Sequence, residues 1–474
     1  MKSVALAVEE PTPSGIAGAI ARLITSGDLA PGDRLPTVRD LAADLGVSPA
    51  TVSHAWQALA GVGLIVSRGR SGTFVREQRT AWLPPRSRGL REPQHSAARL
   101  DLSTGTPDPD LLPDIGPALS RVSPRAGTAN YYDVPVLPEL ERVLRDSWPY
   151  DVESLTVVDG AMDAISRTLD LVLRFGDRVV VENPGFPPVF DLLEHYGVER
   201  VPVELDEHGI RPESLAAALA SSPTAIVLQP RTHNPAGVST TLDRARELAT
   251  VIRSTRTADD TVIIEDDHSG EISTSADVSL GRFLPARVVH IRSFSKSHGP
   301  DLRIAAVGGP AELVDRLVAR RILGPGWTSR MLQTVLHDLL TDATTIAGLD
   351  RARAAYRDRQ TALNTALGAN GVDMPVPDGI NLWLPVNDER NAVVQLAAAG
   401  VRVAPGGPFL AAPLGGTSGG TSGGTPGGTP GGTSGGTSGG TSGGAPSDFV
   451  RVTAGLVRDD VDALGALLAS AAQA

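Results

Sequence analysis

The run Ile291-Arg292-Ser293-Phe294-Ser295-Lys296-Ser297-His298-Gly299-Pro300-Asp301-Leu302-Arg303 decides how this chain is read. Apolar residues from Val288 to Ile291 predict the end of a buried strand, followed by a polar turn with one lysine and an arginine seven residues beyond it. A lysine amine forms an imine with an aldehyde when burial and cationic neighbours keep part of it neutral. Ser293 and Ser295 offer hydroxyl donors and Arg303 a charged fork, groups that suit a phosphate. A motif this short fits an ordinary solvated turn as well, so its neighbours in the chain carry the decision.

Asp266 lies thirty residues before Lys296, and Asn234 thirty-two before Asp266, each after an apolar run that reads as a strand. Four polar signals stand at predicted strand ends: Gly160-Ala161-Met162, Asn234-Pro235-Ala236-Gly237, Glu265-Asp266-Asp267-His268 and residues 293–303. In open α/β sheets, ligands bind beyond the C-terminal ends of the strands. In this order the signals resemble those of the fold-type I aminotransferases, over roughly residues 100–460. The resemblance implies an α/β fold, a mostly parallel sheet flanked by helices, that carries pyridoxal 5'-phosphate (PLP) on Lys296.

The resemblance also implies roles for individual residues. Asp266 faces the pyridine nitrogen, and a buried anion there keeps the ring protonated and electron-withdrawing. Asn234 matches the asparagine that bonds the PLP phenolic oxygen, and Phe186 the aromatic that stacks on the ring. Gly160, Ala161 and Met162 open a helix whose backbone donors would cup the phosphate with Ser293, Ser295 and Arg303; alternatively Gly160 only permits a tight turn. His268 stands where the family usually has tyrosine, and histidine titrates near neutrality. Tyr131 matches a tyrosine that reaches the neighbouring subunit's PLP phosphate, in a block altered by Val136 and Glu141. Arg451, in Phe449-Val450-Arg451-Val452, matches the arginine that forks a ligand carboxylate, or else pairs with a neighbouring acid.

Composition sets the bounds. A chain of 474 residues predicts two or more domains. With no cysteine, disulfides, thiolate metal sites and thiol nucleophiles are excluded. No apolar run reaches the length of a membrane span and no signal-like start is visible, so the expectation is a cytoplasmic protein without a membrane partner. The formal charge of −11 divides unevenly, +4 over residues 1–91 and −15 over the rest. A basic N-terminal part on an acidic protein is what a nucleic-acid contact requires.

That part has a helical plan. Ile16, Ile20, Leu23 and Ile24 predict a helix over about 14–26. Thr37 caps a second that buries Val38, Leu41 and Leu45 and stops at Gly46. Ser48 caps a third, with Pro49 in its first turn and Val52, Ala55, Trp56 and Leu59 inward. Residues 64–67 and 73–75 predict a hairpin around Arg68-Gly69-Arg70-Ser71-Gly72. This is a winged helix-turn-helix, and the words Ala30-Pro31-Gly32-Asp33-Arg34-Leu35-Pro36 and Asp40-Leu41-Ala42-Ala43-Asp44-Leu45-Gly46-Val47-Ser48 resemble the GntR regulators. The resemblance implies a third helix in the major groove and a wing on the phosphates. The candidate DNA contacts are Arg39, Ser48, Thr51, Ser53, His54, Gln57, Arg68 and Arg70, with Pro49 and Ala50 where the family often has polar readers.

The expected domains are a winged helix over 10–76, a basic, proline-containing linker over 77–100 and a PLP domain over 101–474. The linker is either a solvated tether or a further phosphate contact. Residues 415–444 repeat Gly-Gly-Thr-Ser or Gly-Gly-Thr-Pro seven times before a last Gly-Gly, a tract that is expected to stay disordered as an insertion. The whole plan resembles the MocR (GabR-like) subfamily. It implies a homodimer, arranged head-to-tail, that binds operator DNA and senses an amino acid or amine through an external aldimine replacing Lys296. An active aminotransferase with an accessory DNA-binding domain is the alternative.

Overall fold

The computed structural model describes residues 2–8, 10–61, 64–76, 84, 86–87, 98–122, 134–412 and 448–474. Two compact units result, Met1–Pro84 and Pro85–Ala474. Most of the linker, Tyr131 and the whole 415–444 tract lie outside the described residues.

In the small unit, α1 (Lys2–Leu6), α2 (Pro13–Ser26), α3 (Val38–Leu45) and α4 (Pro49–Gly61) precede the wing strands β1 (Ile65–Ser67) and β2 (Thr73–Val75). The caps follow from side-chain chemistry. Thr12 and Thr37 accept from the amides of Gly15 and Asp40, and Gly46 ends α3 at φ 66°. Ile16, Ile20, Leu41, Val52, Ala55, Trp56 and Leu59 are buried in one core with Ile65 and Val75 of the wing. Leu23, Ile24, Val38 and Leu45 pack around it half-buried. Helix α1, which the sequence pattern did not announce, adds Val4 to that core. The wing pairs Ile65 with Val75 and Ser67 with Thr73.

The large unit opens with β3 (Leu100–Asp101). Its main sheet has eight strands: β4 (Ser154–Val158), β5 (Arg178–Asn183), β6 (Glu199–Asp206), β7 (Gly209–Ile210), β8 (Ala225–Leu228), β9 (Val262–Asp267), β10 (Val288–Ser293) and β11 (Ala305–Gly309). Their spatial order is β4-β11-β10-β9-β8-β5-β6-β7. Near-continuous Val, Ile and Leu in β5, β8, β9 and β10 reflect burial of both faces. Helices Ala161–Val172 and Pro187–Tyr196 cover one face, and Pro212–Leu219 and Leu242–Ser254 the other. A 27-residue helix, Ala343–Ala369, leads to a smaller layer. There β12 (Leu382–Val386) and β14 (Ala404–Pro405) flank β15 (Asp448–Val452), while β13 (Val401–Arg402) pairs with β3. Among the described residues no helix is long and apolar enough to cross a membrane.

Candidate functional site

Strand direction gathers the polar signals. β5, β8, β9 and β10 are parallel, and β4 matches their direction because both it and β10 run against β11. Their C-terminal ends therefore share one edge, which carries Gly160, Phe186, Asn234, Asp266, His268 and Lys296. β11 starts just after Arg303 and runs the other way, which returns Arg303 to that edge.

Alternation along β9 gives neighbouring carboxylates opposite surroundings. Asp266 lies on the face of Ile264, against the helices that begin at Ala161 and Pro187; Glu265 and Asp267 lie on the face of Ile263. Burial opposes charge on Asp267, but Arg231, His290 and Arg292 outweigh it and hold the group down at about 2. Among the described residues Asp266 has no arginine against it, and His290, which favours its charged form, acts less than the other influences. Burial pushes it up to about 6, offset in part by a 2.8 Å bond from Gln229 Nε2 to Oδ2 and reinforced by the charges of Asp267 and Glu182. Its Oδ1 is buried without a hydrogen-bond partner.

Gln229 was not legible in the sequence, although it orders the site. Besides holding Asp266, its Oε1 accepts the Asn234 amide at 2.8 Å, and its own amide donates to Glu182 at 2.9 Å. One side chain thus positions both residues expected to address the ring. His268 corrects an expectation. Burial, then the Lys296 charge, lower it to about 3, so the imidazole is neutral at physiological pH and does not titrate near neutrality. Its Nδ1 is also without a partner.

Lys296 and Arg451 meet on the turn after β3. Lys296 Nζ donates to the Gly105 carbonyl, and an Arg451 amino group donates to the Ser103 carbonyl. Gly105, at φ 62°, has its amide on Thr453 Oγ1 at 2.8 Å, and a Cβ there would stand 2.9 Å from Arg451. Arg451 is 3% exposed; its guanidinium lies 4.9 Å from the Phe409 ring centre and donates to Asn234 Oδ1 at 3.3 Å. Burial pulls it down to about 10, still charged at neutral pH. Among the described residues no carboxylate pairs with it, and its Nε is unpartnered. Neither Gly105 nor Phe409 advertised itself in the sequence, because one acts through a carbonyl and the other through a ring face.

At the opposite end, Gly160 caps the helix Ala161–Val172 at φ 103°, with no side-chain bond to the first amides, and Ala161 and Met162 supply that first turn. A Cβ at Gly160 would lie 2.7 Å from the Arg303 guanidinium, so the absent side chain is what admits the arginine. Arg303 itself holds φ 50° and donates to the Asp159 carbonyl at 3.0 Å. Ser293 Oγ accepts the Ser295 amide at 3.3 Å, at the end of β10. Phe186, half-buried, precedes the helix Pro187–Tyr196 and packs at the rim of the same core as Met162. An aldehyde on a phosphate-bearing pyridine fits these donors: a buried carboxylate oxygen lacks a partner, a lysine is in reach, and a helix N-terminus stands beside an arginine.

In the small unit Arg39, Ser48, His54, Gln57 and Arg68 are exposed, and Thr51 and Ser53 half-exposed. Ser48 Oγ accepts the Thr51 amide at 3.2 Å, which ties it to the cap. Arg68 lies over the Phe74 ring at 5.3 Å. Arg70 sits in the turn Gly69–Ser71 between the wing strands. The sequence did not single out Arg34, whose guanidinium fills the space beside Gly72 in the wing.

Comparison with known proteins adds independent findings. The family model of aminotransferase class I and II matches residues 98–418, and that of bacterial regulatory proteins of the gntR family matches residues 12–75. The vitamin B6 salvage pathway transcriptional repressor PtsJ of Salmonella typhimurium is 35% identical over 408 residues, 85% of this chain and 92% of the relative. The HTH-type transcriptional regulator TauR of Rhodobacter capsulatus is 32% identical, covering 81% and 87%. The pyridoxine biosynthesis transcriptional regulator PdxR of Corynebacterium glutamicum is 28% identical, covering 84% and 89%. Among solved structures, the α-aminoadipate aminotransferase LysN of Thermus thermophilus, complexed with N-(5'-phosphopyridoxyl)-L-leucine, superposes with a TM-score of 0.66 at 21% identity over 82% of this chain and 94% of that one.

Proposed function

Because the chain belongs to the aminotransferase class I and II family and carries a gntR-family segment ahead of it, we infer that it is a PLP-dependent transcriptional regulator whose large unit senses an amino acid or amine. When bound, PLP supplies an aldehyde that condenses with amines and a ring that withdraws electrons. Lys296 would offer the amine that holds the cofactor, and Asp266 would accept from its ring nitrogen. Asn234 and His268 would serve the phenolic oxygen, Phe186 the ring face, and residues 160–162 with Ser293, Ser295 and Arg303 the phosphate. Arg451 orients a ligand by its carboxylate.

The observation that carries this reading is Arg451. A buried cation without an anionic partner costs several kcal/mol, about the amount a carboxylate returns by pairing with it. Operator contact falls to Arg39, Ser48, Thr51, Ser53, His54, Gln57, Arg68 and Arg70. The assembly is a homodimer in this reading, supported by exposed Leu119, Val134 and Met331 on segments packed around the helix Arg330–Thr341. Visible absorption of the chain with PLP tests the reading, for wild type and Lys296→Ala, with and without a panel of amino acids and amines. We expect a band that requires Lys296 and shifts with one amine class; no Lys296-dependent band under excess PLP sinks the reading.

A second reading, that PLP is itself the signal, is favoured by two relatives named for vitamin B6 pathways. It predicts operator affinity that changes with PLP alone and ignores added amines.

A further inference from the structure

A short piece of the chain between the wing and β3 is anchored on the ligand site. Arg86 and Ser87 give their amides to Asp191 Oδ1 and Oδ2, both at 3.2 Å, and the Ser87 hydroxyl donates to Oδ2 at the same distance. Ser87 is 7% exposed. The Arg86 guanidinium lies 5.4 Å from the Phe190 ring centre, on a ring that also meets Arg200 at 5.5 Å. Its Nη1 donates to two carbonyls, Pro408 and Leu410, each at 3.1 Å. Those carbonyls flank Phe409, whose side chain is fully buried and lies against Arg451.

The same segment is tied to the ring side of the pocket. The Phe409 carbonyl accepts the Gly185 amide at 2.8 Å, next to Phe186, and Asn183 bonds Ala411 and Ala412 at 2.9 and 3.0 Å. Asp191 stands on the helix that Phe186 starts. Arg86 and Ser87 therefore grip both parts of the pocket wall, the cover of the carboxylate arginine and the helix behind the ring face.

We propose that Arg86 and Ser87 form a clasp that reports occupancy of the ligand site to the winged helix. The inference rests on the ligand reading given above. A carboxylate that draws the Arg451 guanidinium moves the ring resting on it, and with it the two carbonyls that Arg86 holds. With the clasp closed, the chain is anchored ten residues after Arg76, the last described residue of the wing; with it open, the next backbone hydrogen bond to the large unit among the described residues is that of Leu100 to Gly400. Whether the chain is held at Arg86 and Ser87 changes the effective concentration at which one unit meets the other's targets. By linkage, DNA that favours one clasp state changes ligand affinity by the same factor.

The test uses the full-length chain with PLP, an equimolar mixture of the common L-α-amino acids as probe, and DNA from upstream of its own gene. The ratio of DNA Kd with and without the probe is compared between wild type and Arg86→Gln, beside the visible PLP band of each. Wild type should give a ratio of about fivefold or more. In Arg86→Gln the band and its response to the probe persist while the ratio falls toward one. Because the chain has no cysteine, Ser87→Cys with Asp191→Cys places its only pair across the clasp. The reduced pair, which lacks the Asp191 carboxylate, should respond weakly as Arg86→Gln does, and oxidation, which locks the clasp, should leave no effect of the probe on DNA.

A wild-type ratio in Arg86→Gln, or a full response in the oxidised pair, overturns the clasp. Loss of the PLP band in Arg86→Gln also overturns it, since Arg86 then merely holds the pocket together. A wild-type chain without a Lys296-dependent band marks failure of the ligand reading instead.

Discussion

At the scale of the residue, Asp266 is the group whose chemistry the surroundings change most usefully. Its folded value of about 6 lies above the ordinary carboxylate range, so the folded chain binds its proton more tightly than the unfolded one. The stability it contributes is present in full below about pH 4 and is lost as pH rises through 6, in total about 3 kcal/mol for a shift of about two units. Asp266→Asn removes this dependence. Urea unfolding of the PLP-free chains should show the variant gaining on wild type by up to about 3 kcal/mol between pH 4 and 6.5; a constant difference would show that the carboxyl is solvated. Asp266, Lys296, Asn234 and Arg451 were legible in the sequence because their chemistry admits few residue types. Gln229 and Gly105 were not, since a side-chain amide or a backbone carbonyl could come from almost any residue, and Lys296 finds Gly105 across 191 positions.

At the scale of the element, the helix Ala161–Val172 depends on the glycine before it. Gly160→Ala would place a Cβ 2.7 Å from the Arg303 guanidinium and force alanine to φ 103°. We expect a stability loss of about 1–3 kcal/mol from the backbone. A PLP Kd raised about tenfold, read by titrating the visible band, would follow from displacement of the arginine, a change of about 1.4 kcal/mol. An unchanged Kd would remove this corner from the phosphate seat. Helices α2, α3 and α4 of the small unit were readable almost to the residue, since Thr37, Gly46 and Ser48 punctuate them, whereas α1 was not. In the large unit the strand ends were readable from apolar runs, but the reversal of β11, which returns Arg303 to the site, has no mark in local sequence because strand direction is decided by the connection.

At the scale of the whole molecule, two units with separate cores predict two unfolding transitions in calorimetry. PLP at a hundred times its Kd should raise the stability of the large unit by about 2.7 kcal/mol and leave the small unit's transition in place. Coincident transitions that move together would instead mean that the units unfold as one. The charge division at residue 91 was legible by counting, but Arg86, Arg88 and Arg91, which supply most of its positive excess, fall beyond the small unit's boundary. Arg86 looked like one more linker arginine because its partners lie more than a hundred positions away along the chain. Distance along the chain has a further consequence for the pocket itself. Ser103 and Gly105 from its first strand-turn must wait for Arg451 and Thr453, 348 positions later, and β15 supplies the middle strand of its layer. During synthesis, then, a chain already holding Lys296 and Asp266 has neither Arg451 nor the middle strand of that layer until β15 leaves the ribosome, so on the proposed reading competence to recognise a ligand arrives well after the cofactor lysine does.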